Sequence, residues 1–370
     1  MIPKRPVVVW LVIGLIMVYC QIVIGGITRL TGSGLSITDW DIVFGTLPPL
    51  SDAEWMTEFE LYKATPQYEK INQGMEMGSI FQSGTFKFIY FWEYFHRLWA
   101  RGMGFVFLFP FLFFYAKKWL PKPLLRNLGI VVALAGLAAC FGWIMVASGL
   151  IERPWVNAYK LAIHLSIGIS VFTYLLWTYL NYAHQSRVTV LGPLRSPRWV
   201  YGLLGVICLQ LFLGGIMSGM KAALIYPTWP DIGGEALPGV LLDRSQWTWT
   251  NFRDYDKGPF VFALMHFLHR GVAYVLTGLI VWYGSRSELF GRSKGHLSFK
   301  VFVVAVALQV VIGIVTVVSS VGVIPVSWGV LHQAMAVLVL ASYVIHIFDL
   351  KRSEVSALSP DSPKMTAVAG

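Results

Sequence analysis

Charged residues are scarce in this 370-residue chain: they make up 13% of it, against ~25% in an average soluble domain. Hydrophobic residues make up 56%, and the mean hydropathy is +0.63. These values exclude an ordinary soluble enzyme and a disordered chain. The net charge of +10 is spread thinly among apolar blocks, without a basic face or an RNA-reading motif. We therefore expect a lipid bilayer as partner and no nucleic acid.

Cysteine is also rare. Cys20, Cys140 and Cys208 each lie inside an apolar block, and no CxxC or CxxCH pattern occurs. A structural zinc site, covalently attached haem and a disulfide framework are therefore not expected. The three residues are interpreted as small buried hydrophobes.

Long apolar blocks predict an all-α integral membrane protein. A bilayer core needs about 20 mostly apolar residues per helix, and eight blocks meet that requirement. The first follows a short leader without a small-residue cleavage site, which favours a retained helix over a signal peptide. The predicted transmembrane helices are 7–27, 90–115, 126–149, 159–181, 199–219, 260–283, 300–321 and 327–348.

Lysine and arginine in the short loops orient the chain, because such residues concentrate on the cytoplasmic side. The basic loops alternate with loops that carry few basic residues, which predicts that both termini are cytoplasmic. The two long loops, at about 28–89 and 220–259, are then on the outer side. No organellar transit peptide is visible, so the expected location is a bacterial cytoplasmic (inner) membrane.

The chain is predicted to be a tandem repeat of two pseudo-symmetric four-helix bundles. These are residues 1–185, with a large outer loop, and residues 186–370, with a short cytoplasmic tail. An even number of helices per unit gives both copies the same orientation, unlike the inverted repeats of many transporters. The aligned residues are Gln21 with Gln210, Gly25 and Gly26 with Gly214 and Gly215, Trp40 with Trp229, His96 and Arg97 with His269 and Arg270, and His164 with His332.

A Gln-x-x-x-Gly pattern occurs in both repeats and once more at Gln309 and Gly313. A glycine allows helices to approach closely, and an amide can bond across the interface. Plain helix packing is the favoured role for these residues.

Histidines inside the membrane are the strongest functional signal. An ionisable side chain at membrane depth is costly and marks a functional site by default. His96 and His164 form one pair near the outer boundary, and His269 and His332 repeat it. Two imidazoles from two helices suit the axial positions of a haem iron in an apolar slot. We therefore predict two haem sites. A non-haem metal fits less well, because no carboxylate-rich or thiolate set accompanies both pairs.

Arg97 and Arg270 each follow one histidine of a pair. A guanidinium in that position is suited to binding haem propionates. The alternative is that these side chains extend towards lipid headgroups.

The repeat breaks its symmetry one helical turn before His96 and His269, where the first half has Glu93 and the second has His266. Glu93 shares a helical face with His96 and is a candidate for proton transfer. We hypothesise that the first half performs chemistry and the second holds a permanent haem. Alternatively, Glu93 orients a histidine or bonds a neighbouring helix. His266 is a candidate to bind a propionate or to replace His269 as ligand.

The combined motifs resemble the haem A synthase family over nearly the whole membrane region. They are GGITRLTGSGLS at 25–36, EYFHR at 93–97, His164, YPTWP at 226–230, His269-Arg270 and His332-Gln333. The resemblance implies an enzyme that oxidises a ring methyl of haem O to a formyl through a hydroxymethyl intermediate. Haem A then serves the assembly of terminal oxidases such as cytochrome c oxidase.

The resemblance also implies residue roles. His269 and His332 would hold a haem b cofactor in the C-terminal half. His96, His164 and Glu93 would line the site of the substrate haem O in the N-terminal half. An electron donor of unknown identity is required. Haem O synthase, oxidase assembly factors and a second copy of the chain are further candidate partners.

The chain departs from the family in two places. Some members carry a cysteine pair in the first outer loop, and its absence here excludes thiol chemistry at that place. His266 adds a second candidate ligand beside His269. We further expect displacement of His96 or His164 from the substrate iron during turnover, and Arg29, Trp40 and Trp229 are candidates for a lid over the haem edges. For the two tryptophans, the alternative is an aromatic belt at the membrane interface.

An alternative function is a dihaem membrane cytochrome that only carries electrons. Four ligating histidines do not distinguish it from an enzyme, but the difference between Glu93 and His266 favours the enzyme. A transporter or haem chaperone is less favoured, because the predicted helices are continuous and their polar groups lie near one face.

Overall fold

The computed structural model describes residues 2–38, 47–150, 153–184, 198–287, 289 and 297–357. Within these ranges the chain is helical and has no β-strand. The α-helices are α1 (Arg5–Leu30), α2 (Asp52–Lys63), α3 (Pro66–Lys70), α4 (Phe86–Ala116), α5 (Lys122–Gly149), α6 (Ala158–Ala183), α7 (Trp199–Gly219), α8 (Trp249–Arg253), α9 (Phe260–Arg286), α10 (Leu297–Val318) and α11 (Val326–Ala357).

Eight of these helices are long and apolar enough to cross a membrane: α1, α4, α5, α6, α7, α9, α10 and α11. The predicted all-α class and the eight predicted transmembrane helices are confirmed. The helices extend beyond several predicted ends, because helical hydrogen bonding continues into the polar residues that flank an apolar block. The chain is therefore a multi-pass membrane protein.

Local sequence explains where some helices begin. Pro6 and Pro123 lie in the first turns of α1 and α5. A backbone N–H group has no partner within the helix at these positions, so proline, which lacks one, loses no hydrogen bond there. The side chain of Asn157 caps α6, since its Oδ1 accepts from the N–H groups of Tyr159 (3.0 Å) and Lys160 (3.2 Å).

In the N-terminal half, α1 packs against α4 and α6, and α5 packs against α6. In the C-terminal half, α7 packs against α9, and α10 packs against α11. The halves meet where α1 contacts α11 and where α6 contacts α7 and α11. The largest buried apolar cluster lies mainly at the helix ends opposite the two long loops and includes Trp10, Leu128, Leu175, Ile207, Phe299 and Tyr343.

The first long loop, between α1 and α4, folds over the helices through α2 and α3. Its apolar side chains form a cluster with the start of α4. Burial raises the pKa of Tyr62 to about 12, so its hydroxyl stays protonated and donates to Gln67 Oε1 (3.2 Å). The amide nitrogen of Gln67 donates to the carbonyl oxygen of Gly32 (2.9 Å), which ties the loop back to the end of α1. Trp40 lies outside the described residues.

Small residues allow the two halves to approach closely. A Cβ atom on Gly26 would lie 2.9 Å from Gln333 Nε2, and a Cβ on Gly215 would lie 3.2 Å from the Cα atom of Ala162. Gln333 Nε2 also donates to the carbonyl oxygen of Ile22 across the interface (2.7 Å). The second glycine of each Gly-Gly pair therefore faces the opposite half, as close helix packing in membranes requires.

Gly219→Ala tests this interface. The new Cβ would lie 2.8 Å from the Cα atom of Ala158, so α6 and α7 must separate. We expect a loss of about 1–3 kcal/mol in stability, because overpacking against backbone cannot relax by a rotamer change. Gly205→Ala on the same helix is the matched control, since no other described element lies within 4 Å of its Cβ position. Thermal unfolding in detergent measures both, and equal stability of the two variants would contradict the expectation.

Candidate functional site

The structure brings the predicted histidines together in pairs. His96 on α4 lies within electrostatic range of His164 on α6, and His269 on α9 lies within electrostatic range of His332 on α11. In the described part of the chain, no three His, Cys, Asp or Glu side chains form a cluster able to hold a metal ion. The four repeated histidines are thus grouped in twos, and His266 is a further histidine near His269.

Each of the four rings lies against a glycine on an adjacent helix. A Cβ atom would lie 3.1 Å from the ring of His96 if placed on Gly25, and 3.0 Å from the ring of His164 if placed on Gly142. The glycines thus set how closely each ring approaches the helix axis. The corresponding distances in the C-terminal half are 3.0 Å between Gly214 and His269 and 2.7 Å between Gly313 and His332.

Three glutamine side chains contact these rings, and their role in the site was missed in the sequence analysis. The Nε2 atom of Gln21 lies 2.9 Å from His96 Nε2, and that of Gln210 lies 3.4 Å from His269 Nε2. Gln309 Nε2 lies 3.1 Å from Nδ1 of His332 and 3.3 Å from its Nε2. The repeated Gln-x-x-x-Gly spacing was the signal that could have identified them.

His164 has a different partner. Its Nδ1 lies 2.9 Å from the carbonyl oxygen of Ala138, and Ala138 stands four residues before Gly142. Ala138 therefore occupies the position that a glutamine occupies before each of the other three glycines.

Glu93 is buried at 3% exposure and anchors the first long loop. Its Oε2 accepts from the backbone N–H of Ser36 (2.7 Å), the hydroxyl of Ser36 (2.8 Å) and the N–H of Ile37 (2.9 Å). Its Oε1 pairs with Arg97 Nη2 at 2.5 Å, and the same nitrogen lies 3.4 Å from the carbonyl oxygen of Ile37. In these contacts the carboxylate of Glu93 binds the first long loop and Arg97, and none of them is with a histidine. Its role in proton transfer stays a prediction.

Arg270 anchors the second long loop in a related way. Its guanidinium donates to the carbonyl oxygens of Asp231 (2.6 Å) and Thr228 (2.8 Å). The N–H of Gly234 donates to the carboxylate of Asp231, which holds the pKa of that carboxyl below its usual range. Propionate binding by Arg97 and Arg270 stays a prediction, since the structure shows loop attachment for both.

His266 is fully buried, and its Nδ1 accepts from Arg270 Nη2 (2.9 Å). The ring of Tyr226 lies edge-on to it, with 5.7 Å between ring centroids. His266 thus belongs to the arginine anchor of the second long loop. Its role as a propionate donor or as a substitute for His269 stays a prediction.

The candidate lid residues are only partly described. Arg29 Nη1 donates to the carbonyl oxygen of Ser218 at the end of α7 (2.7 Å), so it connects α1 to the other half. Trp229 is 42% exposed in the second long loop.

Two observations indicate that the residues around the histidine pairs are suited to binding haem. Each half offers two imidazoles on different helices, which is the donor set of a haem iron with two axial histidines. Buried polar atoms beside these rings have no protein partner among the described residues: the amide oxygens of Gln21, Gln210 and Gln309 and the Nδ1 of His269. Buried polar groups normally find a partner. A bound group between the helices would supply one.

The sequence profile of the COX15-CtaA family, described as cytochrome oxidase assembly protein, matches residues 8–344. The chain belongs to this family.

Curated relatives cover almost the whole chain. The Heme A synthase of Flavobacterium psychrophilum is 37% identical over 350 residues, which is 93% of this chain and 98% of that protein. The Heme A synthase of Sinorhizobium medicae is 37% identical, covering 93% and 89% of the two chains. That of a Bradyrhizobium strain, ORS 278, is 36% identical, covering 98% and 95%. The resemblance drawn from the motifs is confirmed.

Arg270→Ala tests the loop anchor. The substitution removes both bonds to the loop carbonyls, and hydrogen bonds to a charged group contribute about 1.5–3 kcal/mol each. We expect the backbone amides of residues 228–234 to exchange hydrogen at least about tenfold faster, measured by mass spectrometry. Arg244→Ala, an exposed arginine of the same loop, is the control. Unchanged exchange in Arg270→Ala would show that the loop is held by other contacts.

Proposed function

We propose that this chain is a haem A synthase, a membrane oxidoreductase that converts a ring methyl of haem O to a formyl for the assembly of terminal oxidases. The observation that carries the proposal is the pairing of His96 with His164 and of His269 with His332 in a chain of this family. The curated relatives named Heme A synthase, aligned over nearly their whole length, support the same activity.

The two halves have different tasks in this proposal. Residues 1–185 receive haem O between His96 and His164, and residues 186–370 hold haem b between His269 and His332. The support is chemical: a carboxylate, Glu93, precedes the first histidine by one turn only in the N-terminal half. In the C-terminal half that position holds His266, which binds Arg270.

The haem groups supply the redox chemistry, and the protein supplies binding, orientation and proton handling. The imidazoles of His96 and His164 would hold the substrate haem. Glu93 Oε2 already accepts three hydrogen bonds, whereas Oε1 accepts one, from Arg97, among the described residues. Oε1 is therefore the atom that accepts a proton from the reaction, once Arg97 moves away from it. The loop that Glu93 anchors through Ser36 and Ile37 would exclude water from the site.

The location follows from charge. Lys4, Arg5, Lys117 and Lys118 lie at the helix ends opposite the long loops. We propose that this side is cytoplasmic, because lysine and arginine in short loops concentrate on the cytoplasmic side. In this arrangement both termini are cytoplasmic, the membrane is the bacterial inner membrane, and the histidine pairs lie towards the outer face. The electron donor, haem O synthase, oxidase assembly factors and a second copy of the chain are its proposed partners.

Product analysis tests the activity. Purified protein in detergent, supplied with haem O, a reductant and air, is expected to yield hydroxymethyl and formyl porphyrins, measured by chromatography and mass spectrometry. Boiled protein and haem b in place of haem O are the controls. If haem O is bound and reduced but recovered unchanged, the chain is instead a dihaem cytochrome that carries electrons only.

A variant series tests the residue roles. His269→Ala and His332→Ala are expected to lose the absorbance of the resident haem, because one axial ligand is removed. His96→Ala and His164→Ala are expected to keep that absorbance and lose product formation.

Glu93→Gln is expected to keep the resident haem and to lower the product rate by about 10²-fold or more, the range for loss of a general acid or base. Glu60→Gln, an exposed carboxylate of the same loop region, is the matched control. Full turnover in Glu93→Gln would exclude proton transfer by this residue.

A further inference from the structure

The ring of His96 is turned relative to the other three histidines. The rings of His164, His269 and His332 present Cε1 and then Nδ1 to their glycines: for His164 these atoms lie 3.0 and 3.4 Å from a Cβ on Gly142. His96 presents Nε2 and Cδ2 instead, at 3.1 and 3.5 Å from a Cβ on Gly25. Its Nε2 therefore faces α1.

Gln21 holds the ring in that orientation. Its amide nitrogen lies 2.9 Å from His96 Nε2 and 3.2 Å from the main-chain carbonyl oxygen of His96. A carbonyl oxygen only accepts, so the second contact requires the amide nitrogen, rather than its oxygen, at this place. The amide then donates to Nε2 and uses the lone pair that would bind iron. We call this the parked orientation of His96.

His164 is prepared for the opposite role. Its Nδ1 faces the carbonyl oxygen of Ala138 at 2.9 Å, so Nδ1 carries the proton and the lone pair lies on Nε2. A hydrogen bond of this kind fixes the tautomer of a ligating histidine and makes it a better donor. Within the described residues, Ala138 stands where the other three histidines meet a glutamine, so no glutamine amide contacts the lone pair of His164.

We propose that Gln21 is a positioning residue that holds His96 in the parked orientation, which makes His164 the constant axial ligand of the substrate haem and His96 the exchangeable one. The proposal rests on the proposed function and decides which of the two histidines is displaced. Its physical basis is that a buried acceptor without a partner is costly. His96 can leave an iron at low cost only because Gln21 offers a donor.

The C-terminal half supplies the matched comparison. Gln210 occupies the equivalent position, but its amide nitrogen lies 3.4 Å from His269 Nε2, and that ring presents Cε1 to Gly214. Gln309 also donates to the main-chain carbonyl oxygen of its histidine, His332 (3.1 Å), but its Nε2 lies nearer to Nδ1 of that ring (3.1 Å) than to Nε2 (3.3 Å). In both cases the amide faces a ring that presents Cε1 to its glycine, so the turned ring distinguishes His96. Since Gln210 contacts His269 of the C-terminal pair, we expect its removal to leave the N-terminal site unchanged.

The first arm of the experiment compares the two histidines. Haem O is titrated into the purified full-length protein that already contains its resident haem, and binding is followed by absorbance. His164→Ala is expected to weaken haem O binding by about tenfold or more, and His96→Ala by less than about threefold. The absorbance of the resident haem reports correct folding of each variant.

The second arm compares the glutamines. Gln21→Met keeps a similar volume but removes the amide, so His96 is expected to stay on the iron. The fraction of reduced substrate haem that binds carbon monoxide should fall by about threefold or more. Gln210→Met, which changes the amide beside His269 in the other half, is expected to leave that fraction unchanged.

Equal weakening of haem O binding by His96→Ala and His164→Ala would overturn the proposal, as would an unchanged carbon monoxide fraction in Gln21→Met. These results differ from a failure of the proposed function. If the unsubstituted protein binds no haem O or forms no oxidised porphyrin, the function itself is wrong. If it does both and the two histidine variants are alike, only the assignment of the exchangeable ligand is wrong.

Discussion

A histidine between membrane-spanning helices needs both space and polar partners, because an ionisable group at membrane depth is costly when neither is present. In this protein a glycine on an adjacent helix gives each of the four rings its space, and a glutamine amide or a main-chain carbonyl contacts a ring nitrogen. The packed apolar core lies mainly towards the other ends of the helices. The packed core and the histidine pairs therefore occupy different levels of the helix bundle.

The two long loops depend on the residues that flank these histidines. Glu93 and Arg97 hold the segment that follows α1, and Arg270 holds the segment that follows α7. The same side chains thus lie between the histidine pairs and the long loops. A substitution of Glu93, Arg97 or Arg270 can lower activity in two ways, by altering the chemistry at the site or by releasing the loop. Hydrogen exchange of the loop amides distinguishes these two causes.

Differences between the halves carry the functional argument, since equivalent positions in a repeat are under similar packing constraints. Glu93 corresponds to His266, and Ala138 takes the place of a glutamine beside His164. The orientation of the His96 ring is a third difference. All three differences lie at or beside the histidine pairs of the two halves. This is expected if one half binds a haem that is chemically altered and the other half binds a haem that is retained.

The sequence by itself determined the eight transmembrane helices, the histidine pairs and the family, because apolar length, membrane-buried imidazoles and contiguous motifs are properties of local sequence. It also indicated Gln21, Gln210 and Gln309 by their spacing, but only as packing residues. Tertiary structure decided that these amides contact the histidine rings, that Glu93 and Arg270 bind loop backbone, and that His96 faces α1. The physical reason is that a hydrogen bond between helices depends on their rotation and separation, which spacing along one helix does not specify.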